Sequence, residues 1–176
     1  MELREKTVKT EEIFQGRIIK VRVDEVSLPD GSLSTREIVE HSGAVAIIAL
    51  DDENNVWMVE QYRKAVEKEL LEIPAGTLEE EEDPLECARR ELAEETGFRA
   101  GKWEKVLSYY SAPGFCNEQL HIFIAEDLTP GETNLDADEF LRVKKVPLKE
   151  AYDLVLSGQI QDGKSIIAIQ YACQNV

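Results

Sequence analysis

Residues Ala44–Leu50 read AVAIIAL, seven apolar side chains without a polar interruption. That run is far too short to span a bilayer, which takes about 20 residues. It suits a strand buried on both faces, because a strand with one wet face alternates apolar and polar residues. The rest of the chain must then cover both sides of it. A length of 176 residues provides for one domain, or one domain with a small appendage, and buries a core without disulfide or metal staples.

Around that strand the pattern mixes strands and helices irregularly. Residues 17–27 alternate apolar and polar, Pro29-Asp30-Gly31 marks a turn, and 34–40 reads as the returning strand, so an N-terminal β-hairpin is expected. Asn54-Asn55 precedes a strand over 56–62, and a short strand over 70–73 ends at Pro74-Ala75-Gly76. Asp83 is placed to cap a helix that opens on Pro84 and carries an apolar stripe of Leu85, Ala88, Leu92 and Ala93. Gly97 stands where a helix end needs positive φ. Strands follow over 102–108 and 119–125, then an acidic loop over 127–139, a strand over 141–146, and helices over 148–156 and 164–172. The class is α/β (α+β), without the regular alternation of a doubly wound sheet.

Charge narrows the partners. With 36 acidic against 20 basic residues the formal net charge is -16. Such a field repels polyanions, so no nucleic-acid partner is expected, whereas divalent cations gather near it. The charged start MELREKTVKTEE is no signal peptide, and no membrane partner is expected. Cys87, Cys116 and Cys173 form no CxxC pair, which indicates neither a zinc site nor a disulfide framework and suits a cytoplasmic location. His41, His121 and Cys116 have no motif partner.

The sharpest anomaly is RRELAEETG, residues 89–97. On a helix, Glu91, Glu94 and Glu95 stand three and four apart and repel one another by about 0.2–0.5 kcal/mol per pair. Arg90 and Glu94 form an i,i+4 pair that offsets part of this. One reading is a solvated charged face. The other is a magnesium site, since Mg²⁺ takes oxygen ligands and commonly shares its shell with substrate phosphates.

The surroundings decide. Gly76, Glu82, Arg90-Glu91-Leu92, Glu94-Glu95, Gly97 and Phe98 follow the spacing G-x5-E-x7-R-E-U-x-E-E-x-G-U, where U is a bulky apolar residue. This resembles the signature of the Nudix hydrolases, with every specified position matched. The resemblance implies an α/β/α sandwich with a mixed sheet, and metal-dependent hydrolysis of a nucleoside diphosphate linked to another group. It implies Mg²⁺, with Mn²⁺ as an alternative, held by Glu91, Glu94, Glu95 and the backbone carbonyl of Ala75. Glu82 helps through water, Arg90 orients the glutamates by ion pairing, Gly76 and Gly97 turn the chain, and Leu92 and Phe98 belong to the core.

Further residues resemble the ADP-ribose pyrophosphatase subgroup: Pro113 sixteen residues after Gly97 within SAPGF, EIPAG at 72–76, EQYR at 60–63, and the strands that precede the motif. The resemblance implies that residues 1–42 form N-terminal strands that make a homodimer, and that 43–176 are the hydrolase domain. Arg63 then contacts phosphate, Glu118 lies near the terminal ribose, and Pro113-Gly114 belong to the substrate site. Arg36 and Phe14 are weaker candidates for a pocket shared across the dimer. The implied reaction turns ADP-ribose and water into AMP and ribose 5-phosphate. Other nucleoside-diphosphate sugars, GDP-mannose among them, or a dinucleotide are the alternative substrates.

One position departs from the subgroup. Relatives often read D-E-D-E-F where this chain reads Asp136-Ala137-Asp138-Glu139-Phe140. Ala137 stands at the expected general base. Glu139 takes the role, or a base from the Nudix helix region such as Glu94 or Glu82 does. Otherwise the chain binds ADP-ribose with impaired turnover, through divergence or deliberate removal of the base.

Overall fold

The computed structural model describes residues 2–135 and 140–175. The chain divides into two units, Met1–Gly43 with Tyr109–Gln119, and Ala44–Ser108 with Leu120–Val176.

In the first unit the expected hairpin is present as β2 (Ile19–Ser27) and β3 (Leu33–His41), and β1 (Lys6–Gln15) adds a third antiparallel strand. The turn closes as its residues require. Gly31 has φ 85°, and the Asp30 carboxylate accepts the Ser32 N–H at 2.9 Å. Strand β1 was not expected, because KTVKTEEIFQ is exposed at every residue and so carries no buried face to set a period. Its register comes from backbone pairing with β2, from Lys6 opposite Ser27 to Gln15 opposite Lys20. Segment 109–119 joins the same unit through Val39, whose N–H donates to Phe115 O at 2.7 Å and whose carbonyl accepts the Asn117 N–H at 3.1 Å.

The second unit is built on β4 (Ala44–Leu50), buried at every residue as the apolar run demands. The other strands are β5 (Asn55–Arg63), β6 (Lys68–Glu72), β7 (Ala75–Thr77), β8 (Phe98–Tyr110), β9 (Gln119–Pro130) and β10 (Leu141–Pro147). The sheet runs β10-β5-β4-β9-β8, with β6 on β5 and β7 on β4. Strand β4 pairs parallel with β9 and antiparallel with β5 and β7, so the sheet is mixed. Successive strand residues face opposite sides. Val45, Ile47 and Ala49 pack against Cys87, Ala88 and Leu92 of α1 (Pro84–Thr96), with Phe123 and Ala125 of β9. Ala46, Ile48 and Leu50 point to the other side and are equally buried. Helices α2 (Leu148–Leu156) and α3 (Gly163–Asn175) pack on each other, and α3 also lies against β4.

Several boundaries differ from expectation by a few residues, most of all in β8 and β9. Strand β9 continues to Pro130, so 127–130 are not loop, and β8 begins at Phe98, directly after the helix cap. The β9 extension is mostly polar and part-exposed, and the β8 extension carries the exposed Arg99 and Gly101, so neither shows a clear hydrophobic pattern. The three-residue strand β7 was also unexpected. Among the described residues no helix is long and apolar enough to cross a membrane.

Candidate active site

Helix α1 is fixed at both ends by the expected caps. The Asp83 carboxylate accepts the N–H groups of Leu85 and Glu86, and Gly97 has φ 73° with its N–H on Ala93 O. The buried face so defined holds Cys87, Ala88 and Leu92, and also Glu91 and Glu95. Those two carboxylates are only 9% and 3% exposed, which rules out a solvated charged face for them.

The positive charge among the glutamates is Arg90. Its Nε and Nη2 donate to the two oxygens of Glu82 at 3.0 and 3.1 Å. Its Nη1 donates to Glu91 Oε1 at 2.7 Å and Glu94 Oε2 at 3.1 Å. One guanidinium thus holds three carboxylates in place, a task for which a planar fork is better suited than a lysine. Hydrogen bonding to Arg90, aided by the Glu79 N–H, holds the Glu82 carboxyl down to about 2. The hydrogen bonds to Glu82, with the charge of Glu91, raise the Arg90 guanidinium above its ordinary value. Burial, reinforced by Glu82, pushes the Cys87 thiol up to about 12.

Glu95, on the same buried face, meets β7. Its Oε2 accepts the backbone N–H of Ala75 at 3.0 Å, so the helix is tied to β7 beside the carbonyl expected to bind metal. Gly76 has a role the sequence did not reveal. It sits in β7 opposite Val45, without positive φ. A Cβ there would stand 1.8 Å from the Glu91 carboxyl carbon and 1.9 Å from Oε1. Space for Glu91, rather than a turn, requires the glycine. Leu92 and Phe98 keep their expected core roles, Phe98 with its ring 4.4 Å from that of Trp57.

The donor set fits a divalent cation. Glu91, Glu94, Glu95 and the Ala75 carbonyl offer hard oxygens only, as Mg²⁺ and Mn²⁺ prefer, and the missing Cβ of Gly76 leaves a cradle for one of them. Among the described residues no three ligating side chains are already grouped for coordination. Two of the helix carboxylates are turned to Arg90 instead.

The remaining candidates divide between the units. Arg63, at the end of β5, pairs with Glu72 through two bonds of 2.8 Å. Phe14, Arg36, Pro113, Gly114 and Glu118 belong to the first unit. Arg36, Pro113 and Gly114 line one cleft of about 530 Å³ with Tyr110 and Phe115. Phe14 lines a different one. Arg36 is held by Glu5 at 2.5 and 2.9 Å. Glu118 stands 3.7 Å from His41 Nδ1, which accepts the Gly43 N–H at 3.0 Å. Glu139, Ala137, Asp136 and Asp138 lie outside the described residues. The chain leading to them is tied to the end of α1, with Gly131 N–H on Gly97 O at 2.6 Å and Asn134 N–H on Glu94 O at 3.2 Å.

A carboxylate-rich helix capped by glycine, braced by one arginine and set against a mixed sheet, has a counterpart among known domains. The chain belongs to the NUDIX domain family, whose model matches residues 40–168. Residues 5–39 match the nucleoside diphosphate sugar hydrolase N-terminal domain. Among its relatives are the methanol dehydrogenase activator of Bacillus methanolicus, 49% identical over 95% of this chain and 91% of that protein, and the ADP-ribose pyrophosphatase of Bacillus subtilis, 48% identical over 96% and 92%. An ADP compounds hydrolase of known structure superposes with a TM-score of 0.87 over 99% of this chain and 95% of that one, at 23% identity, a likeness of fold.

Proposed function

We propose that the protein is a metal-dependent pyrophosphohydrolase that splits ADP-ribose into AMP and ribose 5-phosphate. The observation that carries this is the pair of buried carboxylates, Glu91 and Glu95, set on one helix face beside Ala75 and Gly76. Arg90 already meets Glu91, and carboxylate oxygens beside a backbone carbonyl are the hard donors that Mg²⁺ or Mn²⁺ takes. The near-full-length likeness to an ADP-ribose pyrophosphatase supports the choice of substrate.

Glu91, Glu94, Glu95 and the Ala75 carbonyl would hold Mg²⁺ or Mn²⁺, which would supply positive charge against the diphosphate and make a water more acidic. Arg63 presents a guanidinium edge to a phosphate oxygen. Arg90 keeps Glu82, Glu91 and Glu94 in register. A carboxylate, Glu139 or else Glu94 or Glu82, takes the proton as the water oxygen bonds to phosphorus and the bridging P–O bond breaks. Glu118, Arg36, Phe14, Pro113 and Gly114 serve the nucleoside and ribose ends.

The division into N-terminal strands over 1–42 and a hydrolase domain over 43–176 is supported by the family models, which part at residues 39 and 40. Exposed Val8, Ile13 and Phe14 on β1 support a homodimer through those strands, and three free cysteines a cytoplasmic location. Ala137 favours a second reading, an ADP-ribose-binding protein with little turnover.

The test incubates the protein with Mg²⁺ and ADP-ribose, with GDP-mannose in parallel, and separates the products. AMP with ribose 5-phosphate is expected, and Glu95→Gln abolishes it while the fold persists. Tight binding without AMP refutes the catalytic reading, and Ala137→Glu then tells whether the missing base is the cause.

A further inference from the structure

Glu72 is a carboxylate 1% exposed, at the end of β6. A charge so deeply buried costs several kcal/mol unless every oxygen is met. Here both are. Arg63 Nε and Nη2 take the two oxygens at 2.8 Å each. Lys164, at the start of α3, donates to Oε2 at 2.5 Å. Burial alone would raise the Glu72 carboxyl, but these two cations outweigh it and hold it below the usual range. The chain of charges continues. Lys164 also meets Asp162 at 3.0 Å, and Asp162 accepts from the N–H and hydroxyl of Ser165 at 3.0 and 2.5 Å.

The exposures give this chain a direction. The Lys164 side chain is 11% exposed, whereas that of Arg63 is 41% exposed. Lys164 is therefore occupied internally and Arg63 is the end that meets solvent. Glu72 takes one edge of the guanidinium, Nε and Nη2, which leaves the Nη1 hydrogens and one on Nη2 to point elsewhere. Lys164 shares the Glu72 carboxylate and is itself met by Asp162, so the four charges balance and what they give Arg63 is a fixed position. The same helix start also fixes the neighbouring backbone. Ser165 Oγ accepts the Ile73 N–H at 2.8 Å, one residue before Pro74 and two before Ala75.

We infer that Glu72 and Lys164 are positioning residues for Arg63. They hold its guanidinium against β6 with its free N–H edge outward, toward the substrate diphosphate. The inference rests on the reading of Arg63 as a phosphate-binding residue, and the experiment separates the two.

Arg63→Ala, Glu72→Gln, Lys164→Met and Lys164→Arg are each assayed for KM and kcat on ADP-ribose with Mg²⁺. The dissociation constant for ADP-ribose by calorimetry is read alongside, which does not depend on turnover. Glu72→Gln and Lys164→Met each raise KM and Kd about tenfold with kcat changed far less, Lys164→Arg restores both, and neither change adds to Arg63→Ala in a double variant. If Arg63→Ala leaves KM and Kd unchanged, the phosphate reading of Arg63 fails and the inference with it. If Arg63→Ala weakens binding but Lys164→Met does not, the inference alone fails. Losses that add fully to Arg63→Ala also overturn it. Should Glu72→Gln fail to fold, the Lys164 pair carries the same comparison.

Discussion

Gly76→Ala isolates one contact. Gly76 lies in a strand without positive φ, so alanine costs nothing in backbone conformation. Its Cβ, however, would stand 1.9 Å from Glu91 Oε1, where ordinary contact begins at 3.4 Å. The carboxylate must retreat by about 1.5 Å, or the strand must move away from the helix. Overpacking of this kind costs about 1–3 kcal/mol. A ligand displaced beyond 1 Å lowers turnover about 100-fold, and a disturbed support weakens metal affinity about 10- to 100-fold. Three assays follow: kcat/KM on ADP-ribose, Mn²⁺ affinity by electron paramagnetic resonance, and thermal unfolding. The double variant Gly76→Ala with Glu91→Ala sharpens the test, because without the Glu91 carboxyl the new methyl group has room and its stability cost disappears. Unchanged Mn²⁺ affinity and turnover in Gly76→Ala would refute the claim that glycine is there to make space for a ligand. A stability cost that persists without Glu91 would assign the clash to another neighbour.

Arg90→Met leaves three carboxylates without their shared guanidinium, and the metal-free protein loses about 1–3 kcal/mol. Saturating Mg²⁺ returns part of this, and an unchanged melting temperature would contradict the bracing role. Hydrogen bonding to Arg90 holds the Glu82 carboxyl down to about 2 in the fold, against about 4.3 in an unfolded chain. A depressed folded value contributes stability above the unfolded pKa, and that contribution is lost as pH falls through the interval toward about 2. Urea unfolding at stepped pH should therefore show Glu82→Gln flattening the acid slope there, and parallel slopes would remove Glu82 from the account. Cys87, buried and pushed up to about 12, stays unlabelled by iodoacetamide at pH 8 until urea is added. Labelling in the native protein, read by mass spectrometry, would show that the packing beneath α1 opens.

Much of the second unit is legible from local pattern. The unbroken run of β4, the Asp83 and Gly97 caps and the i,i+4 pairing of Arg90 with Glu94 are short-range features, and all are present. Strand β1 was hidden because it buries nothing, and β7 because three residues carry no period. On the helix, the apolar stripe missed Cys87, and it offered no reason to place Glu91 and Glu95 on the buried face. The nearer partners of Arg90 were visible, but not Glu82, which stands eight residues away across a loop. Glu72 was read only as part of EIPAG and Lys164 not at all, because their contact joins residues 92 apart.

By itself the sequence determined a doubly buried strand, a capped helix and three glutamates in register on it. Those follow from spacing, caps and hydrophobic period, which act over one or two turns of chain. The tertiary structure decided what stands opposite. It set Ala75 against Glu95 across twenty residues, made Gly76 a matter of space, and closed the charge chain from Arg63 to Asp162. Strand order and register bring those groups together, and no local period encodes them.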